Sequence, residues 1–205
     1  EPALLTELAA SGDLGRSRRS GEILAAAQAL LAVDDDEGSF MDRLRRLRRR
    51  ELVRIVWRDI VAGAPLAEVL EDLSSLADAA VIVARKFAES ALAPRYGQPR
   101  SADGEPQELV VLGMGKLGGR ELNFSSDIDL VFLYPRSGET DGRRRIANED
   151  YFTRLGQALI RLLDAPTAEG FVFRVDLRLR PFGESGPLVV SFGAFEEYLQ
   201  KHGRD

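Results

Sequence analysis

The chain has 205 residues, 28 of them Lys or Arg against 33 Asp or Glu, for a net charge of -5, and 44% are hydrophobic. This length and composition suit one or two domains with a buried core, and the acidic balance speaks against a general nucleic-acid binder, which carries a basic excess. Cysteine is absent, which excludes disulfides, thiolate metal sites and cysteine nucleophiles and fits a reducing compartment. No apolar run approaches the roughly 20 residues of a membrane span. The opening Glu1-Pro2-Ala3 has neither an initiator Met nor a signal peptide. The expectation is therefore a segment of a longer cytoplasmic protein.

Residues 1–97 read as a helical region. Phe40, Leu44 and Leu47 form a narrow stripe that broadens into an apolar run over 52–60, with arginines on the other faces from Arg43 to Arg50. Asp34, Asp35, Asp36 and Glu37 stand just ahead, so the arginines read as a solvated, self-neutralising surface rather than a phosphate site. Pro65 sits where a first-turn proline is tolerated. Leu66, Val69, Leu70, Leu73, Leu76, Ala77, Ala80, Val83, Ala84 and Phe87 follow at helical spacing, closed by Gly97 and Pro99. Residues 98–107 have the composition of a linker, and a different pattern occupies 108–205. Short strands are predicted at 109–112 and 128–134, and a third, strictly alternating, at 171–179. A helix precedes the third, with Asn148 as N-cap, Glu149 and Asp150 in the first turn, and Tyr151, Phe152, Leu155, Leu159 and Leu162 on one face. The expected fold class is α+β: a small mixed sheet with flanking helices, preceded by an all-α region.

Side chains two apart on a strand share a face, so Asp127 and Asp129 are expected to point together while Ile128, Leu130 and Phe132 enter the core. Two neighbouring carboxylates repel, and a divalent cation is the physical reason to keep them. Hard oxygen donors suit Mg²⁺ or Mn²⁺, with phosphate oxygens completing the shell. On the third strand Phe171, Phe173, Val175, Leu177 and Leu179 are expected inside, and Arg174, Asp176, Arg178 and Arg180 outside. Asp176 is then either a third ligand or only the counter-ion of its arginines. Three carboxylates on neighbouring strands suit two cations about 3.5–4 Å apart, the clamp for an in-line phosphoryl displacement.

The loop Gly113-Met114-Gly115-Lys116-Leu117-Gly118-Gly119 lets backbone amides approach a phosphate, and Lys116 adds charge, although no Ser or Thr follows the lysine as in a Walker loop. Gly115, Lys116, Arg178 and Arg180 are candidate nucleotide or phosphate contacts. Ser125 and Ser126 either join them or merely form a turn with Asn123. His202, the sole histidine, lies near the chain end and is assigned no role.

A glycine loop followed by Asp127-Ile128-Asp129 resembles the signature of the polymerase-β-like nucleotidyltransferase superfamily, with Gly115-Lys116 where that pattern has Gly-Ser or Gly-Gly. Residues 113–130, ending Asn123-Phe124-Ser125-Ser126-Asp127-Ile128-Asp129-Leu130, are more closely similar to the bifunctional glutamine synthetase adenylyltransferase/adenylyl-removing family. So is the run Val175-Asp176-Leu177-Arg178-Leu179-Arg180-Pro181-Phe182-Gly183-Glu184-Ser185-Gly186-Pro187, while residues 40–97 look like it more loosely. The resemblance implies a nucleotidyltransferase core over 108–205 that continues past Asp205, with Asp127, Asp129 and Asp176 as catalytic ligands of Mg²⁺ or Mn²⁺. Such enzymes carry two related domains. The N-terminal one removes AMP from a tyrosine of glutamine synthetase by phosphorolysis, giving ADP; the C-terminal one attaches AMP from ATP. Asn123-Phe124-Ser125-Ser126 and residues 180–187 look like the removing domain. The implied partners are glutamine synthetase, ADP or ATP, phosphate and the PII signal protein, with no nucleic acid and no membrane. An attaching domain and a catalytically silent regulatory module stand as alternatives.

Overall fold

The computed structural model describes residues 2–32 and 36–203. In chain order it contains α1 (Pro2–Ala10), α2 (Glu22–Gln28), α3 (Glu37–Ile60), α4 (Leu66–Tyr96), β1 (Pro99–Ser101), β2 (Val110–Met114), α5 (Gly115–Gly118), β3 (Ile128–Tyr134), β4 (Gly138–Thr140), α6 (Asn148–Asp164), β5 (Val175–Asp176), β6 (Val189–Ser191) and α7 (Phe192–His202). The fold is α+β, with small sheets of mixed strand direction. The chain forms two compact units. The first lies within Glu1–Ala84, Lys116–Asp127 and Leu162–Arg174, the second within Arg85–Gly115, Ile128–Arg161 and Val175–Asp205.

In the first unit α3 starts where Asp36 accepts a hydrogen bond from the Ser39 N–H at 3.0 Å, a side-chain N-cap. Phe40, Met41, Leu44 and Ile55 of α3 are buried, as are Val69, Leu73, Leu76, Ala77, Ala80, Val83 and Ala84 of α4. Within Arg43–Arg50 the expectation of a solvated surface holds for the exposed Arg46 and fails at Arg45, which is fully buried, as is Arg54 further along α3. Arg45 donates to the carbonyl oxygens of Gly170 (2.6 Å), Met41 (2.9 Å), Leu162 (3.2 Å) and Ala165. Arg54 joins Glu51 and Asp72 at 2.7 Å each, and Arg18 reaches Glu51 from a separate segment at 2.6 Å. Burial pushes the Asp72 carboxyl up although Arg54 opposes it. Arg46 and Arg49 both meet Glu169. These partners are distant in sequence, which is why the local acidic run misled; Asp34 and Asp35 lie outside the described residues.

In the second unit β3 is the middle of a four-stranded sheet. β2 runs antiparallel along one edge, and β5 and β6 run parallel along the other, beside Ile128–Asp129 and Phe132–Tyr134 respectively. All of β3 except Asp129 is buried, the near-continuous apolar pattern of a strand covered on both faces. Tyr151, Phe152, Leu155 and Leu159 of α6 are buried as expected, and Tyr134 stacks on Phe152 at 5.3 Å. Gly156 permits the close approach: a Cβ there would lie 3.2 Å from the Phe132 ring and 3.3 Å from Val189. β1 pairs antiparallel with β4, so part of the stretch with linker composition is an ordered strand.

Three local expectations change. Asn148 begins α6, but its amide donates to the carbonyls of Arg100 (2.9 Å) and Arg136 (3.1 Å), and its Oδ1 has no partner, so it does not cap the helix. The strand predicted over 171–179 contracts to Val175–Asp176. Ahead of it Val172 and Phe173 donate their N–H groups to the Leu163 carbonyl, and after it a turn closes from the Arg180 N–H to the Leu177 carbonyl. The alternation fails accordingly: Val172 is buried while Phe171 and Leu179 are exposed. β6 was not predicted from the sequence.

Candidate functional site

Asp129 and Asp176 are register partners on the parallel strands β3 and β5. On the other edge of β3, Asp129 faces Met114, because β2 extends two residues into the glycine loop. The chain then turns at Gly115 with φ +53°, and a Cβ on Gly115 would lie 2.5 Å from the Asp129 Oδ2. Both the left-handed backbone and the space demand glycine here. The glycine loop thus presses against a carboxylate in the second unit, a closeness that spacing alone does not reveal.

Asp176 is held by Arg178. The Arg178 N–H donates to Oδ1 at 2.8 Å, its Nε reaches Oδ2 at 2.8 Å and Oδ1 at 3.1 Å, and its Nη2 also donates to Oδ2. The guanidinium, and then the N–H, hold the Asp176 carboxyl below the usual carboxylate range. Arg178 itself is 72% exposed, so one face of its guanidinium meets solvent. Arg180 differs: it donates to the Leu177 carbonyl at 3.0 Å and the Glu184 carbonyl at 3.1 Å, bracing the turn that follows β5.

Asp127, immediately before β3, belongs to the first unit with Lys116, Ser125, Ser126 and Arg174. Arg174 grips Asp127, with Nε to Oδ1 at 2.6 Å, and donates to the Ser125 carbonyl at 3.1 Å. Sequence reasoning placed Arg174 in an arginine row and missed this clamp; only its outward position two residues before Asp176 hinted at it. Asn123 Oδ1 accepts from the Ser126 hydroxyl at 2.7 Å and from the Ser125 N–H at 3.2 Å, an Asx-type turn that orders both serines. Lys116 is exposed on α5.

Among the described residues no three Asp, Glu or His side chains are gathered into a ready metal cage. The donor chemistry nevertheless suits a hard divalent cation: the candidates are carboxylates, and Gly115 leaves the space beside Asp129 that a side chain would fill. No described helix is long and apolar enough to cross a membrane.

A family model described as glutamate-ammonia ligase adenylyltransferase matches residues 1–205. The chain is similar to the bifunctional glutamine synthetase adenylyltransferase/adenylyl-removing enzyme of Thioalkalivibrio sulfidiphilus, 54% identical over 204 residues, covering 100% of this chain and 21% of that protein. It is likewise similar to the proteins of the same description from Pseudomonas aeruginosa (52% over 207 residues, 100% and 21%) and Shewanella oneidensis (58% over 163 residues, 79% and 17%). The chain spans about a fifth of the length of the curated relatives it matches.

Proposed function

From a chain that belongs to the glutamate-ammonia ligase adenylyltransferase family, we infer an adenylyl-removing core: it takes AMP from an adenylylated tyrosine of glutamine synthetase by phosphorolysis, giving ADP. In this reaction an oxygen of inorganic phosphate bonds to the AMP phosphorus, the bond from that phosphorus to the tyrosine oxygen breaks, and the tyrosinate leaves and takes up a proton. The observation that carries the reading is the side-by-side pairing of Asp129 with Asp176 against a glycine that only lack of a side chain allows.

Asp129 and Asp176 of the second unit would hold the metal, and Mg²⁺ or Mn²⁺ bound there would supply positive charge against the phosphoryl oxygens; Asp127, the further ligand read from the sequence, belongs to the first unit. The protein's own cations serve the anionic substrates. Phosphate is already an anion at neutral pH and needs docking more than a general base. Arg178, with its exposed guanidinium face, and Lys116 are assigned that docking. Arg180, whose guanidinium is engaged with two carbonyls, contributes by holding the turn that carries Arg178. Ser125 and Ser126 present backbone and hydroxyl groups from an ordered turn, with Gly115 giving the phosphates close approach to the backbone. Arg174 orients Asp127.

The removing direction rests on the likeness of Asn123-Phe124-Ser125-Ser126 and residues 180–187 to the removing domain. PII as regulator and a cytoplasmic location follow from the same reading. The test is incubation with adenylylated glutamine synthetase, Mg²⁺ and phosphate: ADP that forms only with phosphate present supports it, and AMP attachment from ATP to unmodified glutamine synthetase would assign the opposite activity.

A further inference from the structure

The turn that closes α5 carries an arginine where glycine would fit with less strain. The Arg120 N–H donates to the Leu117 carbonyl at 3.1 Å and the Glu121 N–H to the Lys116 carbonyl at 2.7 Å, the paired bonds of a Schellman ending. Such an ending puts one residue in the left-handed region, and here that residue is Arg120, at φ +55°. Among the described residues Phe182 is the one other non-glycine with a positive φ. A Cβ in that region crowds the following carbonyl oxygen, which is why glycine usually holds the position. The chain has an arginine there although Gly118 and Gly119 immediately precede it.

What Arg120 gains is a grip on α4. Its Nε and Nη2 donate to the two carboxylate oxygens of Glu71 at 2.6 and 2.5 Å, its Nη1 to Asp78 at 2.9 Å, and its Nη2 also to the Ser75 hydroxyl at 3.0 Å. Glu71, Ser75 and Asp78 share one face of α4 by their helical spacing, and the Ser75 hydroxyl donates to Glu71 at 3.0 Å. The Arg120 guanidinium holds the Glu71 carboxyl below the usual carboxylate range. Arg120 is nevertheless 43% exposed, and ion pairs in such a place add little to stability. With a strained backbone on one side and screened charges on the other, fold stability does not account for the arginine. Position does, because a bidentate pair fixes direction as well as distance.

The segment so held carries groups of the candidate site. Lys116–Asp127 and the part of α4 that bears Glu71, Ser75 and Asp78 all belong to the first unit. The clamped turn closes on the carbonyl of Lys116 itself, and the Asn123 turn that orders Ser125 and Ser126 follows directly. Leu117 and Leu122, on either side of the arginine in the chain, are buried and seat the segment independently of it. We propose that Arg120 is a positioning residue: through Glu71, Ser75 and Asp78 it fixes the turn from which Lys116 meets the anionic substrate. Arg120 itself is assigned no substrate contact. The identity of that anion as phosphate rests on the phosphorolysis reading.

The test loosens the clamp from the helix side, leaving the loop's own sequence intact, with Glu71→Ala and Asp78→Ala together in the full-length enzyme. The phosphate dependence of ADP formation is measured beside hydrogen exchange of the 116–127 backbone, read by mass spectrometry. The pair of substitutions is expected to raise the phosphate KM about tenfold while kcat changes less than about threefold, the mark of lost docking rather than lost chemistry. Exchange at 116–127 should quicken by about fivefold or more as the turn opens more often. Arg120→Gly, which relieves the backbone and removes the clamp from its other end, should match the helix-side variant and add nothing when combined with it, as expected of one interaction. Arg120→Lys, keeping the charge without the fork, should fall between parent and glycine variant. An unchanged phosphate KM, additive effects of the two ends, or unchanged exchange at 116–127 would each overturn the clamp. A parent enzyme that makes no ADP from phosphate would overturn the phosphorolysis reading instead, and exchange at 116–127 in the helix-side variant would then decide for or against the clamp.

Discussion

Asp129 and Asp176 face each other across the parallel β3–β5 pair, and Gly115 closes against Asp129 from the glycine loop. Two carboxylates in register repel; Arg178 neutralises Asp176, while no side-chain cation is seen on Asp129 among the described residues. Asp129→Asn is therefore expected to abolish turnover while leaving thermal stability equal or higher; Asp127→Asn should also abolish turnover but, losing its exposed ion pair with Arg174, should cost up to about 1 kcal/mol of stability. Activity assays with melting curves for each variant check this. Normal turnover by either variant would remove the carboxylates from the chemistry.

Gly115→Ala places a methyl group 2.5 Å from Asp129 Oδ2 and forces alanine to φ +53°. The backbone alone costs about 1–2 kcal/mol. The larger effect should be on activity, on the order of 100-fold, because displacing a catalytic group by an ångström has that consequence. A kinetic comparison beside urea denaturation separates the two; an active alanine variant would show that the loop yields freely.

Much of this was legible in the sequence, and the failures have physical causes. β3 was found at its observed ends because a doubly covered strand is apolar throughout, interrupted here only at Asp129. The helix α6 was found by its buried face. Strict alternation over 171–179 promised a long strand, yet a strand needs a neighbour with free ladder groups, and the amides of Val172 and Phe173 go instead to Leu163. Arg45 and Arg54 look like any surface arginine in sequence, because their partners come from segments far along the chain. The placement of Asp129 beside Asp176 on neighbouring strands was legible from type and spacing; the arginine partners, Arg174 for Asp127 and Arg178 for Asp176, were legible only as an outward row.

The buried Arg18–Glu51–Arg54–Asp72 chain of ion pairs should dominate the stability of the first unit. Glu51→Gln leaves two guanidinium groups without their shared carboxylate and is expected to cost about 3–5 kcal/mol in urea unfolding. Arg46→Ala, removing a largely exposed partner of Glu169, should cost less than about 1 kcal/mol. Equal small losses in both would mean that the buried network is energetically neutral.

The proposal that residues 98–107 join a helical region to the catalytic core can be tested by limited proteolysis, and Asp141 sets the conditions. Asp141 accepts from Arg100 at 2.6 Å and from the Gln98 N–H at 2.8 Å, which hold its carboxyl below its ordinary 3.8. A depressed folded pKa means that the anchoring is fully present above that value and is lost as pH falls through the lower folded pKa. First cuts are expected within 98–107, faster in Asp141→Asn at neutral pH and in the parent protein on acidification toward that range. First cuts inside 66–87 would contradict the division.

The most direct measurement follows labelled inorganic phosphate. With adenylylated glutamine synthetase, Mg²⁺ and radiolabelled phosphate, nucleotide chromatography should show label in the β-phosphoryl group of ADP, no product without phosphate, and, in Arg178→Gln, the same product only at higher phosphate concentration. Unlabelled AMP released without phosphate would instead indicate hydrolysis, and ATP formed from added pyrophosphate would indicate the attaching reaction run in reverse; either result contradicts the adenylyl-removing assignment.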